Sequence, residues 1–211
     1  MSLLSEIGFA SLLSYAPRGT DVVSGVSRRV RDALKTGQPK LFVRAEEVLR
    51  SSPEAGEIRE FFAGGPTLVP APRRAPRRED AALWPARLVC ECLVAAGLAG
   101  DVVSCLRRMV AVPKSAFQAR GSRPTVLDHH ETLAVDTVVV APVSVIVVDD
   151  VVTKGATLLA ACSRVQEAFP GARVAGFALL RTLGFTSTLA RILDPCRGRI
   201  TLVDGEAVRD P

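Results

Sequence analysis

A chain of 211 residues with 48% hydrophobic content is long enough and apolar enough to bury one good core, which excludes a disordered protein. The net charge of +5 favours anionic partners, but nucleotides and pyrophosphate satisfy it as well as nucleic acid does. Aromatic residues make up only 5%, too few for the stacking surfaces of single-strand binders, and the basic excess is local, in Arg73-Arg74 and Arg77-Arg78. A site for a small anion is therefore expected in preference to a nucleic-acid face.

Along the chain, Leu3, Leu4, Ile7, Leu12 and Leu13 have a roughly helical spacing over residues 3–16, closed by Pro17. Asp21 to Leu34 predicts a second helix, with Val22, Val23, Val26, Val30 and Leu34 on one side and Arg28, Arg29 and Arg31 on the other. Ala45 to Leu49 and Pro53 to Phe62 predict short helices. Residues 1–62 thus read as a helical N-terminal segment without recognisable chemistry. Gly64-Gly65-Pro66 is punctuation, and Thr67 to Pro70 a short strand. The run from Ala71 to Glu79 holds too much proline and arginine to continue it. Asp80 is a good N-cap for a helix through Leu83, Leu88, Val89, Leu93 and Ala96, with Pro85 tolerated early. Asp101 to Cys105 and Leu133 to Val140 predict strands. Between them, Arg107 to Leu133 is a long segment of the functional or mobile kind. Arg173 to Leu180 and Arg199 to Val203 predict further strands, and Thr186 to Leu193 a short helix. Residues 63–211 are expected to form an α/β domain, doubly wound around a mainly parallel sheet.

The most informative stretch runs from Val143 to Thr157. An apolar run of the kind buried on both faces of a parallel sheet ends in Asp149 and Asp150. Thr153-Lys154-Gly155-Ala156-Thr157 then opens a helix-forming run from Leu158 to Phe169. Free backbone N–H groups and the positive helix end converge there, which suits a phosphate. Two acceptor-only carboxylates at the carboxyl end of the strand, where open α/β sheets bind ligands, suit the hydroxyls of a sugar phosphate.

Other chemistry-bearing residues read as structural. Cys90, Cys92, Cys105, Cys162 and Cys196 are odd in number and scattered, and Cys90-Glu-Cys92 lacks zinc-knuckle spacing, so buried core thiols are expected. His129-His130 has only Asp128 and Glu131 near it in sequence, which favours a loop role over a metal site. Trp84 reads as a packing residue. No stretch has the ~18 apolar residues that span a bilayer. The N-terminus lacks the basic region of a secretory signal, so a cytoplasmic protein with no membrane partner is expected.

Val145-Ile-Val-Val-Asp-Asp-Val-Val-Thr-Lys-Gly-Ala-Thr-Leu158 resembles the phosphoribosyl-pyrophosphate (PRPP) motif of type I phosphoribosyltransferases. Leu68-Val-Pro-Ala-Pro-Arg73 resembles the first-strand and pyrophosphate-loop region of the competence-protein-F-like (ComF-like) subgroup. Leu106-Arg-Arg108, Lys114-Ser115 and Arg123 to Glu131 fall where that subgroup has its mobile loop. The resemblance covers roughly residues 67 to 180. It implies a type I phosphoribosyltransferase fold, with residues 1–62 and 181–211 the candidates for a hood over the acceptor pocket. Asp149 and Asp150 would be the catalytic acids, taking the ribose hydroxyls and meeting Mg2+ directly or through water. Thr153, Lys154, Gly155, Ala156 and Thr157 would wrap the 5-phosphate. Ala71, Pro72, Arg73, Arg74 and Arg77 would face the pyrophosphate, and Lys114, Ser115, Arg120, Arg123, His129 and His130 would belong to the flexible loop.

The implied reaction transfers the phosphoribosyl group from PRPP to a small nitrogenous acceptor and releases pyrophosphate; homodimers are common in the family. Two departures bear on it. The second loop position, often Thr, is Lys154, which either adds a cation for the phosphate or points to solvent. Both the N-terminal cysteine cluster and the Arg-Gly-Phe-Asn-Gln stretch common in the subgroup are missing; Arg78 is followed by Glu-Asp-Ala-Ala. The alternative is a non-catalytic PRPP- or nucleotide-binding protein with a regulatory or competence-related role in DNA uptake. Direct nucleic-acid binding through Arg73 to Arg78 is a weaker third reading.

Overall fold

The structure, a computed structural model, describes residues 3–76, 83–112 and 124–211. It is a mixed α/β fold around a seven-stranded sheet in the order β3-β2-β6-β7-β1-β8-β9. These strands are β1 (Glu6–Tyr15), β2 (Thr67–Pro70), β3 (Asp101–Val102), β6 (Ser144–Val152), β7 (Arg173–Thr182), β8 (Leu193–Val203) and β9 (Glu206–Asp210). The first five in spatial order pair in parallel; β8 and β9 complete the sheet antiparallel. A separate two-stranded ribbon joins β4 (Leu106–Arg108) to β5 (Leu133–Val135).

Alternation along β6 splits the core into two layers. Val145 and Val147 pack with α6 (Ala156–Ala168) and with Val126 of α5 (Val126–Glu131). Ile146 and Val148 face the other way, with α1 (Val22–Lys35), α2 (Pro39–Ser51), α3 (Gly56–Phe61) and α4 (Pro85–Ala95). Helices therefore cover both faces, which explains why β6 reads as one unbroken apolar run.

The expected helix over residues 3–16 is instead β1, seated inside the sheet between β7 and β8. Burial on both faces removes the period-two signal, and what spacing remained imitated a helix. The N-terminal segment is therefore not wholly helical, since its first element is a strand of the sheet formed with residues 67–210. Asp21 does cap α1, accepting from Ser24 N at 3.0 Å, but Val22 is 82% exposed and Ser24, Ser27 and Leu34 are the buried side.

Elsewhere several boundaries move. The strand at Asp101 is only two residues long, and the one at Leu133 stops at Val135. α4 begins at Pro85 with Trp84 at its N-cap, while Asp80 lies outside the described residues. No helix forms over Thr186 to Leu193; the chain there is irregular until β8. An unforeseen β9 follows a turn at Asp204-Gly205, whose positive φ values of 50° and 79° suit a tight hairpin. Inside the segment read as a loop, α5 forms with a reciprocal capping box between Thr125 and Asp128. All five cysteines are free and buried, as expected of core thiols. Among the described residues, no helix is long and apolar enough to cross a membrane.

Phe9 on β1 is fully buried, so Phe9→Ala should cost about 3–5 kcal/mol in urea unfolding. A helical surface position would give a change near zero.

Candidate functional site

The acid pair stands near the carboxyl end of β6, which runs two residues further to Val152, with β2 on one side and β7 on the other. Asp149 is half-buried and Asp150 is 7% exposed. Their backbone and side chains interlock: Asp150 N donates to Asp149 Oδ1 at 2.8 Å, and Val151 N donates to Asp150 Oδ1 at 2.7 Å. Burial, and then the Asp150 charge, push the Asp149 carboxyl well above its ordinary range, with Lys35 acting in the opposite sense.

Both acids line a cavity of about 830 Å3. Thr157 of α6 lines it as well, as do Pro72, Arg73 and Arg74 from the chain after β2. Ala71 is buried, with its N–H bonded to Val148 O at 2.7 Å, and so carries β2 pairing to the edge of the site. The side chains of Arg73 and Arg74 are exposed, while their carbonyls are tied down by Arg108 Nε and Val112 N. Trp84 donates from Nε1 to Ala71 O at 2.9 Å and forms part of the wall.

The turn at 153–155 delivers the N-terminus of α6. Gly155 occupies the N-cap with φ +97°, and no side chain caps the helix, so its first N–H groups remain available to an anion. A Cβ at Gly155 would lie 2.6 Å from Ile200 Cδ1, so both the backbone conformation and the space require glycine. Thr153 is exposed, with Oγ1 3.2 Å from Thr182 Oγ1, and Ala156 is half-buried against the core. Lys154 is exposed and takes the solvent-facing one of its two expected roles. Its ammonium is 3.1 Å from Glu206 Oε2 on β9, forming a surface ion pair.

His129 and His130 are corrected from flexible-loop residues to buried residues of α5. His129 lines the cavity; burial, then the Arg108 cation, hold its imidazole down to about 4, so it is neutral at physiological pH. His130 turns to α6, with Nε2 3.3 Å from Glu167 Oε2. Arg77, Lys114, Ser115, Arg120 and Arg123 lie outside the described residues.

Two residues that are not among the expected site residues also line the cavity, Arg108 being placed by sequence only in a stretch matched to the mobile loop. Lys35, the last residue of α1, reaches Asp150 Oδ2 at 2.6 Å. Arg108 is 4% exposed, lines the cavity, and donates to Arg73 O, His129 O and Thr132 Oγ1. Burial pulls its guanidinium down to about 10, with Asp149 opposing that shift. Lys35 had no local signal, because only the packing of α1 brings it to β6. Arg107 and Arg108 are indistinguishable in sequence until the ribbon buries one and exposes the other.

Chemically, the cavity joins an oxygen-only acidic pair to an uncapped helix end and arginines. That arrangement accepts hydroxyl donors at one end and anionic oxygens at the other. Among the described residues, no group of three or more His, Cys, Asp or Glu forms a metal cage, so any ion there would draw further ligands from substrate or water. Neither a scan against protein-family models nor a search of curated proteins finds a match to this chain.

The raised Asp149 carboxyl gives a pH prediction. Above about pH 4 the unfolded chain releases this proton while the folded protein retains it, so stability falls as pH rises through the raised value. Asp149→Asn should therefore be more stable than the parent at pH 8, by about 1–3 kcal/mol, with the advantage shrinking towards pH 4. Equal unfolding midpoints at both pH values would contradict it.

Proposed function

We propose that the protein is a phosphoribosyltransferase-type enzyme that binds PRPP with Mg2+ and transfers the phosphoribosyl group to a nitrogen nucleophile. The observation that carries this reading is the convergence of Asp149, Asp150, Thr157, Arg73, Arg74 and Arg108 on one cavity. The acid pair accepts from the ribose hydroxyls, and the turn at 153–157 holds the 5-phosphate through backbone N–H groups. The arginines face the departing pyrophosphate. Arg108 is the best prepared of them, because its carbonyl and hydroxyl partners fix its plane before any ligand arrives.

The reaction breaks the bond between the anomeric carbon and pyrophosphate and forms one to nitrogen. The transition state carries positive charge on the sugar and negative charge on the leaving group. In this reading Asp149 and Asp150 serve the sugar side of this separation, and Arg73, Arg74 and Arg108 the leaving-group side. Neutral His129 borders the same space and offers a nitrogen as donor or acceptor. The oxygen-only acid pair fits Mg2+, which when bound to the ligand's diphosphate would neutralise charge on the leaving group. The α1 segment and the Trp84 wall supply the candidate acceptor side.

A second reading, a non-catalytic PRPP or nucleotide sensor, draws on one observation: Asp150 already has a cation, Lys35. Calorimetry with PRPP and Mg2+ tests binding, and a pyrophosphate-release assay across nucleobases and amines tests turnover. Binding to the parent protein, with at least tenfold loss in Asp149→Asn and Asp150→Asn, is expected. No binding, or equal binding to all three proteins, would overturn the proposal, and binding without pyrophosphate release from any acceptor would favour the sensor.

A further inference from the structure

Among the described residues, the cation paired with Asp150 comes from a remote part of the chain. Lys35 Nζ lies 2.6 Å from Asp150 Oδ2, and the lysine side chain is 48% exposed while that of Asp150 is 10% exposed. The other oxygen, Oδ1, already accepts from Val151 N. Both oxygens of Asp150 are thus engaged within the protein itself. Anything else that seeks this carboxylate must displace the ammonium or share it.

The lysine is held in place from behind. Thr36 closes α1 through its N–H on Asp32 O, and Gln38 N bonds Ala33 O at 2.9 Å. Gly37, between them, has φ +67°, and a Cβ there would sit 2.5 Å from Leu83 Cδ1 and 3.1 Å from Leu88 Cδ1. The turn is wedged against the lead-in and first turns of α4, which presents Lys35 over the cavity that it helps to line. Its flexible stem and half-exposed position nevertheless leave a path into solvent.

We infer that Lys35 is a built-in counter-ion that competes with a divalent cation for Asp150. It rests on the proposed function only in taking a divalent cation as the competitor. An ammonium and a divalent ion on one carboxylate repel each other, so a bare ion binds poorly against Lys35. An ion carried by a diphosphate brings negative charge for Lys35 and the arginines, and the exchange then becomes favourable. The site thereby discriminates a metal–diphosphate complex from the free metal.

The test uses Mn2+ alone, titrated calorimetrically into the full chain. Lys35→Met should bind Mn2+ at least tenfold more tightly than the parent, Lys35→Arg should bind it as weakly as the parent, and Lys35→Met/Asp150→Asn should lose the gain. Equal or weaker binding by folded Lys35→Met would overturn the inference. Because that variant leaves Asp150 without its cation and could fail to fold, the parent protein supplies a second readout. Acylation of Lys35, followed by mass spectrometry, should quicken several-fold at saturating Mn2+, with exposed Lys40 unchanged as the internal reference. An unchanged Lys35 rate, or no saturable Mn2+ binding by either protein, would also overturn it. No PRPP enters these measurements, so their failure is distinct from failure of the PRPP-binding experiment.

Discussion

Two neighbouring carboxylates at the end of a buried strand are the constraint that the rest of the structure answers. Adjacent like charges in a low-dielectric setting are unfavourable, and one of the two is driven towards its protonated form. The molecule offsets this from three directions: Lys35 from α1 pairs with Asp150, buried Arg108 from the ribbon lies within electrostatic reach of Asp149, and the open end of α6 adds its positive dipole. Lys35, 115 positions before Asp150, and Arg108 thus converge with the α6 terminus on one dipeptide. Such an unfavourable arrangement is retained most readily where a ligand completes it.

The C-terminal hairpin supports the same site from the far side of the sheet. Ile200 of β8 fills the space that a side chain at Gly155 would need. Arg209 of β9 donates to Val152 O at 3.3 Å and to Thr182 O at 2.8 Å, joining the ends of β6 and β7. Glu206 draws Lys154 outward. The loop proposed to hold phosphate is therefore buttressed by a strand pair with no binding signature of its own, and Lys154 serves the buttress.

The central features were legible because they are local. An apolar run, two acids, a glycine and a helix-forming segment occupy consecutive residues, and the structure realises them in that order as β6, turn and α6. Arg73 and Arg74 line the same cavity as the acid pair, while Arg77 lies outside the described residues. What sequence concealed depends on distant partners. β1 is a strand because β7 and β8 flank it, not because residues 6–15 alternate. Lys35 and Arg108 became site residues through packing. By contrast, β9 had a readable local cue in Asp204-Gly205, and the helix α5 had one in Thr125 and Asp128; a long basic segment and an unremarkable tail obscured both.

The proposed ligand is a phosphorylated pentose held across the acid pair and the α6 turn. Native mass spectrometry of the protein incubated with PRPP and Mg2+ tests it most directly. The account predicts one phosphosugar per chain, absent from a protein carrying both Asp149→Asn and Asp150→Asn. An unliganded parent protein, or equal retention by both proteins, would contradict it.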